Sequence, residues 1–124
     1  MMGHKFVIVR GAGDNNFRVQ FKYNSEIMVW SENYTGKSST KNCIDAVKTY
    51  MPDAPVLDVG GESPSLVYRF EIVQSKGGEY FTRFRMSNGE ILVRSQTYTS
   101  KASVKNLINV LQDRVADAPV EDDT

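Results

Sequence analysis

An internal repeat constrains the fold of this chain more than any other feature of its sequence. When the sequence is shifted against itself by 64 residues, residues 5–60 align with residues 69–124, and 22 of the 56 pairs are identical. Unrelated sequences do not reach that proportion over such a length. The chain is therefore a tandem duplication, and both copies must solve the same folding problem.

The duplication sets the predicted domain organisation. Twelve of 21 positions are identical between residues 24–44 and 88–108, and the segment Asp53–Val56 returns as Asp117–Val120. With 124 residues the chain is short for two independent domains. We predict one domain over residues 1–124, with repeat one at 5–59, a linker at 60–65 and repeat two at 66–124.

Each copy has the pattern of three strands, one helix and a short final strand. The first strands are the β-branched and aromatic runs at residues 6–9 and 70–73. The second strand of copy one alternates apolar and polar residues from Phe17 to Tyr23, and the alternation in copy two is one residue out of phase. Because a one-residue slip would reverse the faces of a strand, we predict a compensated shift, with a shorter turn and a longer preceding loop in copy one.

Turn signals place the third strands. Asn88-Gly89 predicts a tight type I′ hairpin, and Asn24-Ser25 is its weaker counterpart in copy one. After each turn, strict alternation divides the third strands into two faces. Ile27, Val29, Ser31, Ile91, Val93 and Ser95 fall on one face, and Met28, Trp30, Leu92 and Arg94 on the other.

Helical periodicity and the final segments define the fold class. Apolar stripes at helical spacing run from Cys43 to Met51 and from Val104 to Val115, and a proline follows each stripe. The final strand of copy two, Val120–Thr124, is acidic and weak. One copy has too little apolar surface to be stable alone, so we predict an α+β fold in which both helices cover one face of a shared, mainly antiparallel sheet.

The residues shared by the copies resemble a known family. They are Asn88-Gly89-Glu90, Ser95-x-x-Tyr98-Thr99-x-Lys101 and Asn106-x-Ile108, each with a counterpart in copy one, where Ser25 replaces the turn glycine. This pattern resembles the YegP-like family, small bacterial proteins built from one or two such units. The resemblance implies repeated β-β-β-α-β units in one sheet, with the final strand of each unit exchanged into the other. It implies no established biochemical activity.

Signals for catalysis or cofactor binding are weak. Gly36-Lys37-Ser38-Ser39-Thr40 stands where a phosphate-binding loop would, but Ser31 occupies the place of the motif's first glycine. We interpret its serines as helix caps. The single histidine, His4, is expected at a frayed N-terminus, and Cys43 on an apolar helix stripe is expected to be buried and inert. We predict neither enzyme activity nor a cofactor or metal site.

The connections from third strand to helix form one candidate site. They retain the same polar residues, which are Ser31, Tyr34, Thr35, Lys37 and Asn42 in copy one and Ser95, Tyr98, Thr99, Lys101 and Asn106 in copy two. One interpretation is structural, with rings that pack under the helix and polar groups that cap it or bond to backbone. The other is a pair of pockets for a small ligand. We favour the structural interpretation because both copies must fold alike.

The sheet face opposite the helices, here called the open face, is the second candidate site. Alternation places Arg18, Lys22, Trp30, Arg83, Arg85, Leu92 and Arg94 on it. Arginines beside an exposed tryptophan can stack on and neutralise single-stranded nucleic acid, or dock an acidic protein. The alternative is a solvated face whose long side chains cover the sheet. We predict a non-catalytic binding module that uses the open face.

Charge and cysteine content narrow the partners and the compartment. Fifteen basic and fifteen acidic residues give a net charge of zero, which argues against a protein that holds nucleic acid by overall charge. One cysteine, no apolar leader and no membrane-length apolar run favour a cytoplasmic protein that does not enter the membrane. Because one chain contains both halves of the sheet, we predict a monomer.

Overall fold

The computed structural model describes residues 3–11, 13, 16–58 and 67–124. Copy one contains β1 (His4–Arg10), β2 (Phe17–Tyr23), β3 (Glu26–Trp30), α1 (Lys37–Tyr50) and β4 (Val56–Asp58), with a short 3-10 turn at Met51–Asp53. Copy two contains β5 (Arg69–Gln74), β6 (Tyr80–Arg85), β7 (Ile91–Ser95), α2 (Lys101–Arg114) and β8 (Val120–Asp122). The linker predicted at residues 60–65 lies outside the described residues.

All the strands of the described residues belong to one sheet, in the order β4-β5-β6-β7-β3-β2-β1-β8. Consecutive strands within each copy pair antiparallel from the first to the third, and β3 pairs antiparallel with β7 at the centre. The order reads the same from either end when the two copies are interchanged. The predicted α+β fold of two β-β-β-α-β repeats in one mainly antiparallel sheet is confirmed.

The final strand of each copy lies against the first strand of the other. β8 pairs in parallel with β1, and β4 pairs in parallel with β5. The Phe6 amide donates to the Pro119 carbonyl at 2.8 Å, and the Phe70 amide donates to the Pro55 carbonyl at 2.9 Å. The repeated Asp-Ala-Pro-Val segments therefore lead into exchanged strands, and the acidic C-terminal segment does form one although its side chains are exposed.

The compensated shift predicted between the copies is present. Phe17 and Tyr80 each bridge the tyrosine that follows the third strand of their own copy, and these equivalent residues are 63 positions apart. Trp30 and Arg94, which face each other at the centre of the sheet, are 64 positions apart. The one-residue difference is absorbed by the hairpin turn and the preceding loop, so the core faces of both copies stay in register.

The hairpin between β6 and β7 differs from the predicted type I′ turn. In this turn only Gly89 has a positive φ, at 91°, whereas a type I′ turn needs two such residues. The Gly89 amide donates to the Met86 carbonyl at 2.9 Å, and the Met86 amide donates to the Glu90 carbonyl at 2.8 Å. The connection is a longer loop closed by a left-handed glycine. In the shorter turn of copy one, Asn24 takes the positive φ, at 55°.

A β-bulge in each third strand breaks the predicted alternation. In copy two the pairing with β6 passes from Val93 to Ile91 and leaves Leu92 as an extra residue. Leu92 packs in the core at 4% exposure, so its predicted place on the open face was wrong. The same irregularity in copy one leaves Met28 as the extra residue, and Met28 packs against the core. Each bulge adds one apolar side chain to the helix side of the sheet.

Both helices bury their apolar stripes in one core. Its largest members are four phenylalanines, at most 1% exposed, and they are Phe6, Phe21, Phe70 and Phe84. Val47 of α1 and Leu111 of α2 belong to the same cluster. The two helices begin differently, because the Ser100 hydroxyl accepts from the Ser103 amide at 3.2 Å whereas Gly36 caps α1 without a side chain. The predicted serine cap of α1 is therefore wrong, and a serine caps α2 instead.

Candidate nucleic-acid interface on the open face

The strand register places the charged and aromatic candidates of the open face opposite the core. In β2, Val19 and Phe21 enter the core, so Arg18 and Lys22, which alternate with them, lie on the other side of the sheet. The same alternation around Phe84 in β6 places Arg83 and Arg85 on that side. Trp30 and Arg94 complete the set where β3 meets β7.

The centre of the open face is one arginine between two aromatic rings. The guanidinium carbon of Arg94 lies 5.8 Å from the centroid of the Trp30 ring and 4.5 Å from that of the Phe81 ring. Such cation–π contacts contribute about 0.5–1 kcal/mol each at exposed sites. Arg94 is exposed, and both rings are half-buried. These three side chains, here called the stacking row, present flat groups at the junction of the two copies.

A buried carboxylate holds the arginines of copy two. Arg83 and Arg85 each donate from Nε to Oε1 of Glu71 at 2.7 Å, and Arg69 donates to its Oε2 at 3.1 Å. Glu71 is only 2% exposed. Burial alone would raise the pKa of Glu71, but the hydrogen bonds from the three arginines outweigh it and keep the pKa below its ordinary value. This Glu71 cluster retains positive charge, because three guanidiniums surround one carboxylate.

The open face differs between the copies. By register, the residues of copy one equivalent to Arg69, Glu71, Arg83 and Arg85 are Lys5, Val7, Gln20 and Lys22. Copy one therefore has no buried carboxylate at these positions. Its half of the face contains instead a cavity of about 560 Å³ beside Arg18 and Trp30. The two halves share a backbone and differ in chemistry.

The hydroxyl groups of the two repeated serines form hydrogen bonds with backbone groups of the protein. The Ser31 hydroxyl accepts from the Val19 amide at 2.9 Å, and the Ser95 hydroxyl accepts from the Thr82 amide at 3.0 Å. Each hydroxyl also donates to the carbonyl of the following residue at 2.8 Å. Both serines are buried, at 2% and 0% exposure. They satisfy backbone groups where the third strand leaves the sheet.

The repeated lysines pair with the exchanged strands. Nζ of Lys37 lies 3.0 Å from Asp122 of β8, and Nζ of Lys101 lies 2.6 Å from Asp58 of β4. Each lysine comes from the helix of one copy, and each aspartate comes from the strand that the other copy contributes. Tyr34 and Tyr98 pair through their backbones with the second strands. These contacts are the same in both copies and favour the structural interpretation.

The ion pair on β8 gives a pH-dependent expectation. Hydrogen bonds from Thr124 and Lys37 lower the pKa of Asp122 from 3.8 to about 2. A carboxyl with a lowered pKa stabilises the fold above its unfolded pKa, and that contribution is lost as the pH falls through the folded value. We expect Lys37→Met to raise the pKa of Asp122 toward 3.8 in an NMR titration of the side-chain carboxyl. The control Lys41→Met should leave it unchanged, and an unchanged pKa in Lys37→Met would contradict the ion pair.

The single cysteine and histidine take no part in the open face. Cys43 is 3% exposed, and burial raises the pKa of its thiol to about 11, so little thiolate forms at neutral pH. His4 is not frayed as predicted, because it belongs to β1 and pairs with Tyr23 of β2, and the two rings lie 4.5 Å apart. Within the described ranges, neither helix is long and apolar enough to cross a membrane.

The fold defines a class of protein, the tandem α+β repeat with exchanged final strands. A family model described as "Domain of unknown function (DUF1508)" matches residues 12–58 and 75–122. The chain therefore belongs to the DUF1508 family and contains its domain twice.

Relatives occur with one repeat and with two. A UPF0339 protein of Mesorhizobium japonicum is 48% identical over 58 residues, which are 46% of this chain and 97% of that protein. A UPF0339 protein of Mannheimia succiniciproducens is 27% identical over 114 residues, which are 91% of this chain and 89% of that protein. The solution structure of yegP from E. coli, a protein of unknown function, has a TM-score of 0.78 at 25% identity and covers 100% of this chain and 96% of its own. The YegP-like resemblance is confirmed.

Proposed function

We propose that the open face binds single-stranded nucleic acid. The observation that carries the proposal is the stacking row, in which Arg94 lies between Trp30 and Phe81 at the centre of the sheet. Unpaired bases stack on aromatic rings and on guanidinium planes, and sheets that present aromatic side chains bind RNA in this way in other modules. Paired bases are not free to stack on a protein surface, so the expected ligand is a single strand.

The charges around the stacking row suit a phosphate backbone. Arg18 and Lys22 lie on one side of it, and the Glu71 cluster lies on the other. Arg83 and Arg85 keep about a quarter of their side-chain surface exposed although they pair with Glu71. Although the whole chain has zero net charge, the basic side chains of this face outnumber the carboxylates of Glu71, Glu121 and Glu26, which lie on or beside it. The local basic surface can therefore steer a polyanion to one face.

Fluorescence anisotropy with labelled single-stranded oligonucleotides tests this proposal. We expect binding that weakens steeply with salt, since each phosphate contact contributes a slope of about −0.7 in log K against log salt. Trp30→Ala should weaken binding by about 1–3 kcal/mol, the contribution of one stacked base. The double variant Trp30→Ala/Arg94→Glu should abolish it. Arg114→Glu on α2 makes the same charge change away from the open face and should bind like the unmodified protein.

Two results would overturn the proposal. One is undetectable binding of DNA and RNA homopolymers at low salt, and the other is binding that survives in the double variant. Binding of polyglutamate without binding of any oligonucleotide would assign the open face to an acidic protein partner instead.

The proposal includes a non-catalytic, cytoplasmic monomer. The pairing of both copies in one sheet within a single chain supports the monomer. The small-ligand alternative would use the repeated loops, at Ser31, Tyr34, Lys37, Ser95, Tyr98 and Lys101. It has less support, because the serines of these loops already hydrogen-bond to backbone amides and the lysines already form ion pairs within the chain.

A further inference from the structure

A cavity of about 560 Å³ opens in the copy-one half of the open face. Its lining includes Arg18 and Gln20 of β2, Trp30 of β3, and Gln96, which follows β7. The volume falls in the range of small-molecule sites, about 300–1,000 Å³. We infer that this cavity binds one nucleotide unit, with its base against Trp30 and its phosphate at Arg18. The inference rests on the proposed function and names the ligand of one part of that site.

Arg18 supplies the reason to expect an anionic group. Within the described part of the chain, its Nε is a buried side-chain nitrogen with no hydrogen-bond partner. The arginines of the Glu71 cluster, by contrast, all donate to a carboxylate. A buried N–H group without an acceptor is unfavourable, and an anionic oxygen that reached the Nε of Arg18 would satisfy it. Phosphate oxygens fit the planar fork of a guanidinium well.

The remaining walls suit a nucleobase. Trp30 offers a ring for stacking, and the guanidinium carbon of Arg94 lies 5.8 Å from the centroid of that ring. Gln20 of β2 is the cross-strand partner of Trp30 on the neighbouring strand β3. The amides of Gln20 and Gln96 can each donate and accept, which is the capability needed to bond to base edges. A stacking ring, two amides and an arginine whose Nε has no hydrogen-bond partner therefore line one cavity.

Only one such site is expected in each chain. By register, Phe81 and Arg83 of copy two stand where Arg18 and Gln20 stand in copy one. Arg94 likewise replaces Trp30 at the equivalent position. The combination of ring, amide and arginine therefore does not recur in copy two, although the backbone does.

The charge of Glu26 allows the effect of one substitution on nucleotide binding to be predicted. Glu26 also lines the cavity, so its negative charge would repel a bound phosphate. Glu26→Gln removes this negative charge and should tighten the binding of a nucleotide. A cavity with a purely structural role would show no such gain.

The test is a titration of AMP and UMP, with adenosine and inorganic phosphate as partial ligands. Trp30 is the only tryptophan in the chain, so its fluorescence reports on the cavity directly. We expect one site per chain, at least about tenfold weaker in Arg18→Gln, tighter in Glu26→Gln and unchanged in the control Lys41→Gln. A tenfold loss corresponds to about 1.4 kcal/mol. If Arg18→Gln does not fold by circular dichroism, Gln96→Ala serves as the second variant and should also weaken binding.

The outcomes separate this inference from the proposed function. Oligonucleotide binding that is unaffected by Arg18→Gln and Gln96→Ala would overturn the nucleotide site and leave the open face as the interface. AMP binding that requires Arg18, without any oligonucleotide binding, would support the site and overturn the proposed function. Inorganic phosphate that binds as tightly as AMP would reduce the cavity to an anion site and overturn the assignment to a nucleotide.

Discussion

Glu71→Gln should lower the free energy of unfolding by about 3–5 kcal/mol, the range found when one partner of a buried ion pair is removed. The side chains of Glu71 and Arg69 are only 3% and 7% exposed, so the substitution leaves buried guanidinium charge beside a neutral amide. The loss should appear as a lower urea midpoint with an unchanged denaturant slope.

Copy one offers a matched control for this substitution. Its equivalent positions hold the alternative set Lys5, Val7, Gln20 and Lys22. Installing that set in copy two, as Arg69→Lys, Glu71→Val, Arg83→Gln and Arg85→Lys, should recover most of the lost stability. It removes the charges of Glu71 and Arg83 together and replaces the other two arginines by lysines, which can extend their charge into solvent. A midpoint for Glu71→Gln equal to that of the unmodified protein would show that the cluster does not form in solution.

At low pH the free energy of unfolding of Glu71→Gln should become equal to that of the unmodified protein. The arginines lower the pKa of Glu71 from its ordinary 4.5, so its contribution to stability is complete above that value. The contribution is lost as the pH falls through the folded pKa, where the carboxyl becomes neutral like the amide.

Phe84→Ala should cost about 3–5 kcal/mol and unfold both copies together. Phe84 is fully buried, and its ring centroid lies 5.1 Å from that of Phe70. Its core cluster includes side chains from both helices. Trp30 is the only tryptophan and lies in copy one, so its fluorescence reports on the half that does not contain Phe84. Fluorescence and far-ultraviolet circular dichroism should therefore shift to the same lower urea midpoint.

Independent halves would behave differently. The Trp30 transition would then stay at its original midpoint in Phe84→Ala, while circular dichroism would show two steps. Phe21→Ala in copy one is the matched variant and should give the same loss, because Phe21 packs on Phe6 with a centroid distance of 4.8 Å. Phe81→Ala on the open face removes a half-buried ring and should cost less.

Much of the fold could be predicted because its signals are local. The alternation of Phe17 to Tyr23 and the helical stripe from Val104 to Val115 each lie within one short segment, and the duplication appears when the sequence is aligned with itself. The strand exchange was implied by the family resemblance rather than by any spacing. The place of Leu92 could not be predicted, since a bulge is defined by pairing between strands, and alternation assumes that no residue is skipped.

The candidate site was predictable only in part. Trp30 and Arg94 follow from alternation, but the Glu71 cluster depends on which strands are neighbours. Its only signal in the sequence is a glutamate in an apolar strand, preceded by Arg69 and followed by a strand that alternates arginines. Gln20 and Gln96 belong to no motif, and they meet only when β2 and the end of β7 lie beside Trp30.

The contrast between residues that the copies share and residues that differ explains why the fold was easier to predict than the candidate site. Residues that both copies retain, such as Ser31 and Lys37, make the same internal contacts twice and serve the fold. Residues that differ, such as Trp30 against Arg94, lie on the open face. A duplicated chain can keep one copy's chemistry and change the other's, provided that the core faces of both are preserved.

Chemical-shift mapping tests the proposed interface most directly. Nitrogen-15-labelled protein is titrated with a short single-stranded oligonucleotide at low salt, and the shifts are compared across both candidate sites. The prediction is that the largest shifts fall on the Trp30 indole and on the amides of Phe81 and Arg94, and that they disappear at high salt. Shifts centred on Tyr34, Lys37 and their counterparts Tyr98 and Lys101, or no shifts at all, would contradict it.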